Sequence, residues 1–318
     1  MEVNKIICGD CLIEHTNIKS GSVDLILTDL PYGTMNGAGL DGWGKNKTSW
    51  DFAIEPKLIY DISNRILRKN GKIVLFSQEP YTNQLITQAI ANVPFGYRMI
   101  WLKDHFANSL IAKKAPVSYY EDILVFNKAH DIEAIHPLRK YAFKIKEFIP
   151  IKYNRKAFKE KFGHYGFNHF LECEEKNTQF NLCTQQKYNE LIEKFGIDRM
   201  GGFKTFKELR IIDRKFDSTF NLWEGNKYKS NILKYKKDYD GYHPTQKPIL
   251  LLEDLIKTFS NEGDLVVDLT AGSGSTAVAC INTKRNYILI EKEERYVEIA
   301  RRRISAIPEL LPFEGVLC

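Results

Sequence analysis

Val23-Asp24-Leu25-Ile26-Leu27-Thr28-Asp29-Leu30-Pro31-Tyr32 is the stretch whose reading decides the fold. Val23 to Thr28 is a short apolar run of the kind a buried strand makes. Pro31 cannot continue a central strand, since it has no N–H for the ladder. The chain therefore turns as the strand ends. Asp29 is left as an acceptor at the carboxyl end of a strand, where open α/β sheets place their ligands. Leu30 has a backbone carbonyl available to accept, Pro31 stiffens the turn, and Tyr32 offers a flat face. Two acceptors and a stacking platform suit a planar exocyclic amine. An ordinary strand end with Asp and Pro in a turn is the plainer alternative, and the tetrapeptide alone does not separate the two.

A second stretch, Asp264 to Thr276, has the sequence Asp-Leu-Val-Val-Asp-Leu-Thr-Ala-Gly-Ser-Gly-Ser-Thr. It predicts strand, glycine-rich turn, helix. Glycines let a cofactor approach the backbone closely, and a helix amino end offers unpaired N–H groups. Glu291 ends the next apolar strand, Tyr287 to Ile290. An acid about 20 residues beyond such glycines typically takes ribose hydroxyls. The candidate cofactor contacts of this stretch are Asp268, Gly272, Gly274, Ser275, Thr276 and Glu291.

Taken together, the two stretches resemble the S-adenosylmethionine-dependent DNA amino-methyltransferases, whose catalytic motif is (Asp/Asn/Ser)-Pro-Pro-(Tyr/Phe/Trp). The tetrapeptide comes first and the Gly-x-Gly motif last, the order of the family's beta group. The resemblance covers roughly residues 1–130 and 230–305. Leu30 replaces the first proline, at a position that acts through its carbonyl. Thr270 stands where the family usually has Phe or another bulky residue.

The resemblance implies a doubly wound α/β fold. Its sheet would be seven-stranded and mostly parallel with one antiparallel edge strand, interrupted by an inserted target-recognition domain. It implies catalysis by Asp29, Leu30, Pro31 and Tyr32, with S-adenosylmethionine as cofactor and Asp29 also near it. Asp10, at the end of the strand Lys5 to Asp10, would bond the cofactor's adenine; an N-cap for the following helix is the other reading. The run His243-Pro244-Thr245-Gln246-Lys247-Pro248 would hold the methionine end, through His243, Thr245 and Lys247. Asp as first motif residue points to adenine N6, where Ser would point to cytosine N4. Double-stranded DNA is the implied substrate, and a homodimer and a cognate restriction endonuclease are partners the family allows. RNA, a glutamine side chain, or a non-catalytic DNA-binding role are the competing readings. No Pro-Cys dipeptide occurs, which disfavours the ring-carbon cytosine chemistry.

The 318 residues and 43% hydrophobic content are enough for a full core plus an insertion. No run approaches the roughly 20 apolar residues of a membrane span, and the start has no signal-peptide pattern. The six cysteines are scattered, which suits reduced thiols in a cytoplasm. Cys8 and Cys11 form a Cys-x-x-Cys without a second pair at ligand spacing, so no metal is expected.

Three parts are expected: catalytic residues 1–130, an insertion over 131–230, and cofactor-binding residues 231–318. Gly33 to Ser49 is glycine-rich and carries Lys45 and Lys47, which suggests a lid on DNA or else a passive loop. Residues 131–240 hold 23 Lys+Arg against 16 Asp+Glu, a surplus that exceeds the net +6 of the whole chain. Between Arg139 and Lys161, aromatics interleave with the bases. That suits phosphate contact and base stacking, though most of the aromatics are expected in a core. The DNA-contact candidates here are Lys152, Arg155, Lys156, Lys204, Lys207 and Arg210. Tyr188, Leu191, Ile192 and Phe195 predict a helix stopped by Gly196, and Thr205 to Glu208 has the form of a capping box. In the last helix Tyr296, Ile299 and Ala300 are expected inside, and Arg301 to Arg303 on a solvated face.

Overall fold

The computed structural model describes residues 2–33, 52–107, 112–114, 116–132, 136–238 and 246–307. Among them eight strands form one sheet: β1 (Lys5–Cys8), β2 (Val23–Asp29), β3 (Leu67–Ser77), β4 (Phe95–Ala107), β5 (Ser118–Asn127), β6 (Ile232–Lys234), β7 (Leu265–Asp268) and β8 (Asn286–Glu291). Their order is β1-β8-β7-β2-β3-β5-β4-β6. The helices in chain order are α1 (Cys11–Glu14), α2 (Pro56–Ile66), α3 (Tyr81–Thr87), α4 (Leu138–Phe148), α5 (Arg155–Phe162), α6 (Asn168–Leu171), α7 (Gln185–Phe195), α8 (Phe206–Arg214), α9 (Ile249–Phe259), α10 (Ser275–Asn282) and α11 (Glu294–Ser305).

The sheet is doubly wound, as expected, but differs in two details. It has an eighth strand, β6, which pairs parallel to β4. The antiparallel strand is β5, and it lies inside the sheet between β3 and β4 rather than at the edge. The extra edge strand is only three residues long. Its Leu233 is buried among Met99, Trp101 and the apolar side of α9.

The continuous apolar run of β2 follows from burial on both faces. Side chains alternate across a strand, so Ile26 joins one core with Ile59, Ile62 and Ile66 of α2. Leu25 and Leu27 join the other, with Leu251, Leu252, Leu255 and Phe259 of α9. Helix α2 shows the sequence logic plainly. Ile59, Ile62 and Ile66 recur at helical spacing, Pro56 opens the first turn, and the buried face is theirs.

Residues 138–214 form a helical unit, α4 to α8, with a hydrophobic core of its own. Gly196 caps α7 with φ of 63°, a left-handed conformation that suits glycine. The capping box at Thr205 and Glu208 is complete. The aromatics divide. Phe158 and Tyr141 are buried, Tyr153 packs at the margin, and Phe143 and Phe148 face solvent.

The unit is anchored near the start of β3. Lys69 donates to the Phe180 carbonyl (3.0 Å), Asn70 to the Phe216 carbonyl (2.7 Å), Arg68 to the Asp217 carbonyl (3.0 Å) and Lys72 to Ser218 Oγ (3.1 Å). Beyond it the chain packs on α9, through Asn221 and through a Trp223 Nε1 bond to Asp254 (2.9 Å). The helices with a core of their own span 138–214, within the stretch 131–230 expected as an insertion. In α11, Tyr296, Val297 and Ala300 are buried, and Ile299 is only partly so. No helix among the described residues is long and apolar enough to cross a membrane.

Candidate active site

β2 and β7 are neighbours, and from them the chain winds to opposite sides of the sheet. That is a switch point, and its crevice lies at the strands' carboxyl ends. Asp29 ends β2, the glycine turn follows β7, and Glu291 ends β8. Asp10 follows β1 directly, next in line because β1 pairs with β8. Four acidic or glycine sites far apart in sequence thus share one edge.

Asp29 is tied on every side. Its Oδ1 accepts the Tyr32 hydroxyl (2.5 Å), and its Oδ2 accepts Lys247 Nζ (2.5 Å). Its backbone carbonyl accepts the Thr270 hydroxyl (2.9 Å). Thr270, where a bulky residue was the family expectation, therefore bonds the two motifs together. Burial pushes the Asp29 carboxyl above the usual carboxylate range, against the pull of Lys247. Burial opposes charge on Lys247 as well, but Asp29 and Glu121 outweigh it and hold the ammonium above its ordinary value. Leu30 is buried in the core, and Tyr32 and Pro31 are half-buried at the turn. The Tyr32 ring centroid stands 6.2 Å from that of Tyr81.

The glycine turn is built from within. Asp268 is buried, and its oxygens accept from the Thr28 hydroxyl (2.8 Å), the Thr270 N–H (3.1 Å) and the Thr276 hydroxyl (2.6 Å). Burial pushes its carboxyl up to about 6. Ser275 Oγ accepts from Arg303 (3.1 Å), which also donates to the Ser273 carbonyl (2.9 Å). So Asp268, Ser275 and Thr276, expected at a cofactor, bond to the protein and shape the loop. Arg303, expected on a solvated face, braces that loop. Gly274 has φ of +81°, and a Cβ there would lie 2.7 Å from Ala300 Cβ. Its lack of a side chain serves the close approach of α11.

Glu291 accepts the Gly272 N–H at Oε2 (2.7 Å) and the Glu293 N–H at Oε1 (2.8 Å). Burial nonetheless raises its carboxyl. Of the two readings made of Asp10, the N-cap is the one the fold displays. It caps α1 by accepting the Leu12 N–H (2.9 Å), and its other oxygen accepts Lys292 Nζ (3.1 Å). The Leu12 bond, then Lys292, hold it below the ordinary value.

Gln246 supplies the test of fit for a cofactor here. Its Nε2 is buried without a hydrogen-bond partner among the described residues, and its Oε1 sits 3.5 Å from Ser273 Oγ. An orphaned buried donor beside the glycine turn suits an anionic acceptor such as an amino-acid carboxylate. Gln246 lies within the His-Pro-Thr-Gln-Lys-Pro run, but only burial singles it out. Glu121 and Lys103 are further site residues that no motif marks.

Of the other expected residues, His243, Thr245, Lys45 and Lys47 lie outside the described residues. Lys152, Lys156 and Lys207 are exposed on the helical unit, and Lys204 is half-buried. Arg155 forms a two-pronged ion pair with Glu172. Arg210 pairs with Asp213 (2.5 Å) and Asp217 (3.4 Å). Both arginines are thus already neutralised within the protein. Cys11 is buried, its thiol pushed up to about 12, and Cys8 is exposed.

A doubly wound sheet with an acid-ended switch point and a glycine turn defines the class of nucleotide-cofactor α/β proteins. Comparison with known proteins narrows that class. The family model described as DNA methylase, covering N6 and N4 methyltransferases, matches residues 23–302. The chain belongs to this family, whose methyl donor is S-adenosylmethionine. Among its relatives, "DNA adenine methyltransferase YhdJ" of Escherichia coli is 26% identical over 96% of this chain and 83% of its own length. "Type II methyltransferase M.HpaI" of Haemophilus parainfluenzae is 24% identical over 95% of this chain and 74% of its own. The fold matches that of M1.HpyAVI, solved as a complex with SAM, at a TM-score of 0.51 and 19% identity, covering 94% of this chain and 98% of that one. It also matches the cytosine-N4-specific PvuII DNA methyltransferase at 0.52 and 15% identity, covering 95% and 86%.

Proposed function

We propose that the protein is a site-specific DNA methyltransferase that methylates the N6 amine of adenine, with Asp29 as its central catalytic group. One observation carries the reading: the Asp29 carboxylate is fixed at the switch-point crevice by Tyr32 and Lys247, and its backbone carbonyl by Thr270. When bound, S-adenosylmethionine supplies the methyl group. Gly272 and Glu291 would take its nucleoside part, with Asp10 at the adenine. Gln246 would take its amino-acid end, while Lys247, expected there too, is held between Asp29 and Glu121.

An aromatic amine is a poor nucleophile, because its lone pair is delocalised into the ring. Asp29 and the Leu30 carbonyl would accept the amine's hydrogens and aim the lone pair at the methyl group. Tyr32 would support the base after it leaves the duplex stack, at a cost of a few kcal/mol. The displacement needs no covalent nucleophile, so positioning carries most of the catalysis. Adenine rests on Asp29 as first motif residue and on the full-length similarity to an adenine enzyme.

Purified protein, labelled cofactor and unmethylated DNA test the proposal, with nucleoside mass spectrometry of the product. N6-methyladenine is expected. N4-methylcytosine would overturn the base assignment, and transfer to RNA or protein but not DNA would overturn the substrate class.

A further inference from the structure

β5 runs against its neighbours, so its first residues arrive at the edge where the parallel strands end. Glu121 is thereby brought to the crevice, one residue before the Asp122 that pairs with Ser77. Four charges alternate there. Lys103 Nζ is 2.5 Å from Glu121 Oε1, Lys247 Nζ is 3.1 Å from Glu121 Oε2, and Lys247 Nζ is also 2.5 Å from Asp29 Oδ2. The side chains of Lys103, Lys247 and Glu121 are 2%, 7% and 10% exposed. Among the described residues, Glu121 Oε2 is buried and makes no well-formed hydrogen bond, with Lys247 Nζ the cation nearest it.

Asp29 in this arrangement is an occupied acceptor. Tyr32 holds one oxygen and Lys247 the other. An amine that is to use Asp29 must fit beside these donors or take the place of one, and a lysine stripped of its partner in a buried site is costly. A Lys247–Asp29 pair kept only for stability would be complete without a third and a fourth buried charge. Glu121 adds one whose second oxygen faces the Lys247 ammonium without a well-aligned hydrogen bond. Lys103 occupies Oε1, and with Lys247 it holds Glu121 below the ordinary carboxylate range despite burial. Oε2 is then the acceptor that remains.

We propose that Glu121 is the acceptor onto which Lys247 moves its ammonium when a substrate amine engages Asp29. Glu121 and Lys103 are then positioning residues for the catalytic carboxylate. No proton changes owner; one hydrogen bond of Lys247 is exchanged for another. The inference rests on the methyltransferase reading for its purpose, though the exchange is a property of the four side chains. The charged and titratable groups facing Asp29 are Tyr32 on its own turn, Lys247 before α9, Glu121 on β5 and Asp268 on β7. In E121Q the nearby anion is lost and Lys247 stays wholly on Asp29. Both changes lower the pH at which Asp29 titrates.

The test is a cycle of wild type, E121Q, K247M and the double variant, with labelled methyl transfer to unmethylated phage DNA. E121Q should lower kcat by about tenfold or more while leaving the affinity for S-adenosylhomocysteine within about twofold. In the K247M background it should cost nothing further, because the lysine it serves is gone. An equal cost in both backgrounds overturns the proposal. A second readout uses carbon-13 carboxyl-labelled aspartate, with the Asp29 signal assigned by its loss in D29N. That signal should titrate at lower pH in E121Q than in wild type, and an unmoved midpoint also overturns the proposal. Failure of the wild type to methylate DNA counts instead against the methyltransferase reading, and an unmoved Asp29 midpoint would still overturn the exchange.

Discussion

The two ends of β3 carry opposite kinds of chemistry. At its carboxyl end, beside Phe76, the charges are buried, paired and few: Asp29, Lys247, Glu121 and Lys103. Near its start, Lys69 grips the helical unit, and Arg68, Asn70 and Lys72 grip residues 216–218 just after it; the unit's own charges lie largely on its surface. Asn70 to Phe76 is six residues, or about 20 Å of strand. A buried charge network is expensive to assemble and is kept where it acts on something. A surface surplus of lysine costs little and by itself specifies nothing. The difference teaches that charge density along a sequence is a poor guide to the site, and that depth of burial is a better one.

The largest expected effect is at the crevice. Asp29→Ala should retain cofactor binding and lose turnover by about 100-fold or more, since the acceptor that orients the amine is gone. Calorimetry with S-adenosylhomocysteine and single-turnover methyl transfer check the two halves, and normal turnover would break the assignment.

Next is Asp268. Its carboxyl stands near 6 in the fold, above the ordinary carboxylate value of the unfolded chain. The native state therefore holds the proton more tightly between those values. Stability from this group is present at low pH and is lost as pH rises towards 6. At about 1.4 kcal/mol per unit, the swing is about 3 kcal/mol. Urea melts of wild type and Asp268→Asn from pH 4 to 7 should show the wild type losing ground as pH rises. A constant gap would refute the burial argument.

Smaller again is Gly274→Ala, expected to cost about 1–3 kcal/mol from a left-handed φ and a crowded Cβ. Adding Ala300→Gly should recover the crowding part. A double variant no more stable than Gly274→Ala in chemical denaturation would show that α11 is not what the glycine accommodates.

Much of the crevice was legible because its residues sit at strand ends, where a change from apolar run to acid or glycine marks the place. Asp29, Gly272 and Glu291 announce themselves this way. Glu121 does not, because it lies early in an antiparallel strand, and sequence alone does not show that β5 turns its start toward Asp29. Arg303 was misplaced for a related reason: three consecutive arginines on a helix point in three directions, and one of them meets the Ser273 carbonyl. The eighth strand is too short to leave a pattern. In the helical unit the caps and apolar stripe were legible, since both are local. Whether its lysines meet DNA depends on where the unit docks, and three of the four docking contacts given above are carbonyls, which no sequence displays.

The smallest expected effect therefore falls on the stretch with the densest charge. Lys113 and Lys114 are exposed between β4 and β5, whose paired ends Ala107 and Ser118 lie at the carboxyl edge. Lys152 and Lys156 are exposed on a unit gripped from the other end of β3. A duplex that presents a base to Asp29 lies along the carboxyl edge, so the first pair has the shorter reach to phosphate. Each phosphate contact contributes about 0.9 to the slope of log affinity against log salt. Changing Lys113 and Lys114 to Gln should lower that slope by close to two units. Changing Lys152 and Lys156 should lower it by less than about one unit. Adding Arg155→Gln to the second pair should change little more, because Glu172 already neutralises that guanidinium. Fluorescence titrations of a labelled duplex between low and moderate salt measure all three. If the Lys152 and Lys156 pair flattens the slope as much as the Lys113 and Lys114 pair does, the helical unit reaches round to the duplex despite its anchor, and the contrast between the two ends of β3 ceases to be one of function.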